Sequence, residues 1–111
     1  MKTSSCKAKG RRLQNEVAML LADVTGITYE TDGEIDVRPM GQAGVDIILR
    51  GEAKKKIPFS IECKCQERLN IWKAIEQAEK NGEPLVFIKK NRSKTYVTVE
   101  ATEENVRRLL G

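Results

Sequence analysis

In the stretch IPFSIECKCQ, Glu62 and Lys64 stand two residues apart, and Asp46 precedes Glu62 with 15 residues between them. Two carboxylates and an ammonium brought together are the parts needed to hydrolyse a phosphodiester without histidine. The carboxylates offer oxygen ligands to a hard cation such as Mg²⁺ or Mn²⁺. Such an ion polarises a phosphate and acidifies a water, which Lys64 can orient or deprotonate. The chain has no histidine at all, which removes Ser-His-Asp hydrolysis, His-Cys zinc sites and the histidine-metal nucleases.

The triplet means little by itself. With 12 Glu and 12 Lys in the chain, about one Glu-x-Lys is expected by chance. A second does occur, Glu52-Ala53-Lys54, in a charge-rich stretch that reads as a solvated turn. Glu62 and Lys64 differ because the other face of their strand is continuously apolar and Asp46 sits near the start of the strand before. Charges inside a sheet cost several kcal/mol unless paired or metal-bound, so the three together need compensation. The alternative is a face open to solvent, where they form an exposed charge pair with nothing to catalyse.

The elements that position these residues follow from periodicity. Residues 11–24 read as a helix with Leu13, Val17, Leu20, Leu21 and Val24 on one stripe and Gly26 as its stop. Gln14 and Glu16 fall on opposite shoulders of that stripe, so either could look into a cleft. Residues 27–37 read as a strand or hairpin broken at Thr31-Asp32-Gly33, and Pro39, Gly41 and Gly44 mark a loop before a strand at 45–50. Gly51 and EAKKK make a polar turn back into a strand at 57–66. There Ile57, Phe59, Ile61, Cys63 and Cys65 share one face, and Ser60, Glu62, Lys64 and Gln66 the other. A helix over 69–80 turns Ile71, Ala74, Ile75 and Ala78 inward and closes at Asn81-Gly82. PLVFIKK and TYVTV form a hairpin, and a last helix starts on Thr102, with Glu103 and Glu104 in its first turn and Arg107 and Arg108 near its end. The order αβββαββα predicts an α/β domain with a central mixed sheet flanked by helices.

The bulk numbers agree with a single domain over residues 1–111, with 1–9 as a flexible basic arm. A net charge of +4 and a pI near 9.1 permit a polyanionic partner. No apolar run approaches the roughly 18 residues of a membrane helix. The polar N-terminus has no leader pattern, so a cytoplasmic location is expected. The three cysteines are an odd number, and Cys63 and Cys65, facing the core, read as small hydrophobes rather than disulfide or zinc ligands.

Gly44-Val45-Asp46 followed by Ile61-Glu62-Cys63-Lys64, between a basic helix and a second helix, resembles the PD-(D/E)xK nuclease superfamily. Within it the chain is similar to small Holliday junction resolvase-like nucleases of archaea and phages, including the VRR-NUC type. The resemblance implies a restriction-endonuclease-like αβββαβ core and divalent-metal-dependent DNA cleavage. Asp46 and Glu62 would be metal ligands with the Cys63 carbonyl as a third, and Lys64 the catalytic lysine. Val45 replaces the proline that usually precedes the first acid. Lys9-Gly10 matches the opening of helix one in archaeal resolvases, but their glutamate position holds Gln14, with Glu16 as the nearest acid; either could complete the metal shell. Their loop serine is also missing, leaving Gln42 for polar contacts.

The expected partner is DNA, branched if the resemblance extends that far. Candidate contacts are Lys9, Arg11 and Arg12, Lys54 and Lys55 (part of the run 54–56), and Lys89, Lys90 and Arg92, all expected to flank the acids and grip phosphates. Gln66 is a further candidate. Trp72, the sole tryptophan, reads as a core or dimer contact rather than a base wedge. A domain this small has one site, so cutting a junction calls for a C₂ homodimer. The leading expectation is a metal-dependent, structure-selective endonuclease in recombination or DNA processing. The alternatives are flap, end or nick processing, or a catalytically silent nucleic-acid-binding module.

Overall fold

The first helix, α1, spans Thr3–Thr25 in a computed structural model that describes residues 3–39 and 41–111. It is longer at both ends than expected: residues 3–9 of the expected arm are helical, and residues 1 and 2 lie outside the described residues. Its buried face consists of two i, i+4 rows, Leu13-Val17-Leu21 and Gln14-Ala18, whereas Leu20 and Val24 stay 48% and 77% exposed. The stripe is therefore rotated away from Leu20 and Val24. Gln14 lies inside it, not on its shoulder, and Glu16 lies outside it, exposed.

The Thr31–Gly33 turn forms as expected: Gly33 N–H donates to Glu30 C=O at 3.0 Å, and Asp36 Oδ2 accepts from Asp32 N–H at 3.1 Å. Strands β1 (Ile35–Val37) and β2 (Ile47–Leu49) then pair antiparallel, Ile35 opposite Leu49. The polar turn expected after β2 is instead a short helix, α2 (Gly51–Lys56). Its cause is distant in sequence. Glu34 Oε1 accepts from Ala53 N–H at 3.0 Å and Glu34 C=O from Arg50 N–H at 2.8 Å, capping a helix start from outside. Such a cap is worth about 1 kcal/mol. Ala53 is buried beneath, while Glu52 and Lys54 are exposed, so the second Glu-x-Lys triplet is a solvated surface feature.

Strand β3 (Ser60–Cys65) starts later than expected, because Ile57 closes α2 through its N–H to Ala53 C=O, 2.9 Å. β3 runs parallel to β4 (Pro84–Lys89) through the crossover helix α3 (Ile71–Glu79), and β4 pairs antiparallel with β5 (Tyr96–Val99). Helix α4 (Glu103–Leu110) follows. The cap read from sequence is present: Thr102 Oγ1 accepts from Asn105 N–H at 3.1 Å. Asn70 Oδ1 does the same for Lys73 N–H in α3, also at 3.1 Å.

α1 packs with Ile35, Ile47, Ile61 and Phe87 on one side of the strands. α3 packs Ala74 and Ala78 against Val86 and Ile88 on the other. Trp72 is 77% exposed, so it is not a core residue as one reading of it held. The expected central sheet is divided into an antiparallel pair β1-β2 and a mixed three-stranded sheet β3-β4-β5. They meet where Asp46 N–H donates to Ile61 C=O at 3.1 Å, just before β2, and part beyond it.

Candidate active site

The parting of β2 from β3 makes the site. Ser60 N–H and Gln66 N–H both bond to the β4 side, to Glu83 C=O at 2.7 Å and Lys89 C=O at 3.0 Å. By strand alternation, the backbone groups of Ile61, Cys63 and Cys65 face the opposite way, toward Asp46. Cys63 N–H accordingly donates to Asp46 Oδ2 at 2.8 Å, and the Cys63 carbonyl opens on the same gap.

The loop before Asp46 is fastened by one arginine. Arg38 N–H donates to Asp46 C=O at 2.9 Å and Arg38 Nε to Val45 C=O at 2.8 Å. Gly44 lies against that guanidinium at φ +115°, where a Cβ would come within 2.8 Å of Nε. Only glycine suits both the backbone angle and the space, so the residue two before the acid is part of how the acid is aimed.

Glu62 is 1% exposed, which rules out the solvent-open face. Its carboxyl is within hydrogen-bonding reach of Asp46. Burial first, then the bond and the charge of Asp46, raise its pKa from 4.5 to about 8, against the pull of the Lys64 ammonium. At neutral pH the buried carboxyl therefore keeps its proton. Cys63 packs on the α1 side with Cys65. Burial, then the Asp46 and Glu62 charges, push its thiol far above the ordinary range, so it stays protonated and is no thiolate ligand.

Two buried acceptors in this region, Glu62 Oε1 and Gln14 Oε1, have no hydrogen-bond partner; Ser60 Oγ, another, lies at the start of β3. A buried polar atom left unsatisfied costs about 1–3 kcal/mol. Among the described residues no three His, Cys, Asp or Glu side chains cluster as a metal site. The Asp46 and Glu62 carboxyls lie against each other, and Gln14 and Cys63 line the same cleft as Asp46; oxygens of these kinds suit a hard divalent cation.

A cleft of about 610 Å³ is lined by Lys9, Gln14, Gln42, Asp46, Lys64 and Gln66 among others, while Glu62 is buried behind Asp46 and is not part of its lining. A neighbouring cleft of about 260 Å³ brings together Lys9, Arg12, Lys89, Lys90 and Arg92. Basic residues far apart in sequence thus meet beside the acids. Glu16 belongs to this second cleft, where it accepts from Thr95 Oγ1 and faces Lys89 Nζ at 4.0 Å. Arg11, half-buried, lines neither cleft. Lys54 and Lys55 line neither of these clefts, and Lys54 lines another, with Arg38, Gly44 and Val45. Their neighbour Lys56 reaches Thr25 C=O at 3.5 Å, at the far end of α1, which is about 24 Å of helical rise from Lys9. Asn91, passed over in sequence, lines both clefts, with its N–H held by Glu67 Oε2 at 2.6 Å. Its place in a turn signal was the only hint.

Over residues 5–111 the chain matches the family described as "Phage putative PDDEXK endonuclease". The chain belongs to this PD-(D/E)xK endonuclease family. No curated protein and no solved structure gives a significant match. The mixed three-stranded sheet flanked by helices is compatible with the restriction-endonuclease-like core of these nucleases, which generally use divalent metals. As a nuclease of this kind the protein acts on DNA. Among its described residues no helix is long and apolar enough to cross a membrane.

Proposed function

We propose that the protein is a Mg²⁺- or Mn²⁺-dependent endonuclease that cuts DNA at branch points, with Asp46 and Glu62 as metal ligands and Lys64 as the catalytic lysine. The observation that carries this reading is the pair of unpartnered buried oxygens, Glu62 Oε1 on a carboxyl that meets Asp46 and Gln14 Oε1 on a side chain that lines the same cleft as Asp46. A cation there would satisfy both and neutralise the charge that Glu62 cannot hold alone. The burial of Gln14 favours it over the outward Glu16 as the helix-one ligand, with the Cys63 carbonyl completing the set.

The chemistry such an ion supplies is Lewis-acid polarisation of the scissile phosphate and acidification of water. The chain does the rest. Cys63 N–H holds Asp46 in place, and the Gly44–Arg38 contact holds the loop that delivers it. Lys64, lining the same cleft, donates to a phosphate oxygen and orients the attacking water. Lys9, Arg12, Lys89, Lys90 and Arg92 grip backbone phosphates without reading bases, and Gln42 and Gln66 add polar contacts. One such site spans one strand, so cutting two strands of a branched molecule takes a second copy, most simply as a C₂ dimer. The likeness to junction-resolving nucleases supports branched DNA and a role in recombination.

Labelled four-way junction, flap and linear duplex test this together. Cleavage is expected with Mg²⁺ or Mn²⁺, absent in chelator, and faster on the branched forms. No cleavage of any substrate with either metal would sink the nuclease reading; equal rates on all three would sink branch selectivity alone.

A further inference from the structure

A third cavity, of about 210 Å³, adjoins both clefts just described. It shares Gln66 with the cleft over the acids and Lys89 and Lys90 with the basic cleft. Its floor is of a different character, Leu69, Ile88 and Tyr96, with Glu67 and Ser93 at the rim. Tyr96 opens the edge strand β5 directly across from Ile88 and is 60% exposed. An aromatic face is thus left uncovered over an aliphatic floor, one step from the phosphate-gripping lysines.

We propose that this slot holds an unpaired nucleobase of the bound DNA, stacked on Tyr96. This rests on the nuclease reading above and narrows its substrate. The Ser93 hydroxyl and the Glu67 carboxylate at the rim are already engaged. Ser93 Oγ closes its own turn, donating to Lys90 C=O at 3.1 Å or Lys94 C=O at 2.8 Å, and Glu67 Oε2 holds Asn91 N–H. What the slot offers a ligand is therefore an apolar face flanked by Lys89, Lys90 and the Gln66 amide, with the Glu67 carboxylate taken up by Asn91 N–H. That is the pattern of a nucleotide, whose base is flat and apolar on its faces and whose phosphates are anionic. Bases inside an intact duplex already have both faces stacked and cannot enter unless extruded. A strand whose base is unpaired beside the cut enters without that cost. The protein accordingly distinguishes branched or gapped DNA bearing an unpaired nucleotide from fully paired DNA of the same length.

The test measures binding in chelator, so that it is independent of cleavage, on two DNAs identical except for one unpaired 2-aminopurine nucleotide at the branch. Tyr96→Ala is expected to weaken binding of the DNA with the unpaired base about tenfold and leave the fully paired one unchanged. Tyr96→Phe should keep wild-type affinity for both. The 2-aminopurine fluorescence should be quenched by the wild type and by Tyr96→Phe, but not by Tyr96→Ala. Equal losses on both DNAs, no loss on either, or Tyr96→Phe failing like Tyr96→Ala would overturn the proposal. So would a shift of Tyr96→Ala from dimer to monomer in sedimentation with no change in quenching, which would make the slot a contact between copies. If Tyr96→Ala cuts DNA with Mg²⁺ while its binding is unselective like the wild type's, the slot fails and the nuclease reading stands. If the wild type cuts no DNA, the underlying reading itself has failed.

Discussion

Asp46→Asn is expected to lower DNA cleavage in saturating Mg²⁺ on the order of a thousandfold while leaving the protein folded. The two halves of that outcome have separate causes. Asn keeps an oxygen that can accept the Cys63 N–H bond now made to Asp46 Oδ2, and its backbone still links Arg38 and Ile61, so the parting of β2 and β3 survives. What disappears is one negative charge next to Glu62. A neutral amide is a weaker ligand for a hard cation, and the phosphate loses the electrostatic stabilisation that depends on that cation. Melting temperature without metal should change little, because the charge removed was raising its neighbour's pKa rather than pairing with a cation. Initial rates on a labelled substrate and a thermal melt check both halves. Wild-type cleavage by a folded Asp46→Asn would remove Asp46 from the mechanism.

Glu62→Gln should move stability and activity in opposite directions. In the metal-free protein Glu62 titrates at about 8, not at the ordinary 4.5. Between those values the native state keeps a proton that the unfolded chain releases, so the contribution of this group to stability falls as pH rises from about 4.5 through about 8. Glutamine has the same shape and never ionises. The variant should match the wild type at acid pH and be several degrees more heat-stable at about pH 9, where the wild type buries a full charge. The same proton opposes metal binding. Wild-type affinity for Mg²⁺ should therefore rise with pH until about 8, releasing close to one proton per ion at neutrality. Glu62→Gln should show neither metal-induced stabilisation nor cleavage. Melts across pH with and without Mg²⁺ test all of this. A wild type whose metal-free stability is flat from acid to alkaline pH, with the variant tracking it, would contradict the account of Glu62.

The parts of the site that the sequence displayed are those governed by local rules. A strand has a period of two, so Glu62 and Lys64 on one face and Cys63 and Cys65 on the other could be read directly. Thr102, before two glutamates, announced a helix start because capping is a contact between near neighbours. Gln14 was harder. Leu20 and Val24 are apolar but face outward, and counting them as core tilted the stripe and left Gln14 on its edge. α2 was hidden because its cap, Glu34, lies 19 residues before Ala53. The basic cleft has the same origin. Lys9 and Arg12 meet Lys89 and Arg92 only through the packing of α1 beside the hairpin, which no periodicity records. For the same reason periodicity could not tell where Lys54 and Lys55 lie relative to the acids, on a helix whose Lys56 reaches Thr25 C=O.

In the proposed mechanism the Asp46 and Glu62 carboxyls together with the Gln14 amide oxygen hold a divalent cation. Crystals soaked in Mn²⁺ and measured at an anomalous wavelength test it without any assay. A peak is predicted between Asp46 and Glu62, about 2.0–2.3 Å from their oxygens and within coordination distance of Gln14 Oε1. Mn²⁺ bound elsewhere with no density between the two carboxyls, or a peak there ligated by Glu16 with Gln14 turned away, would contradict it.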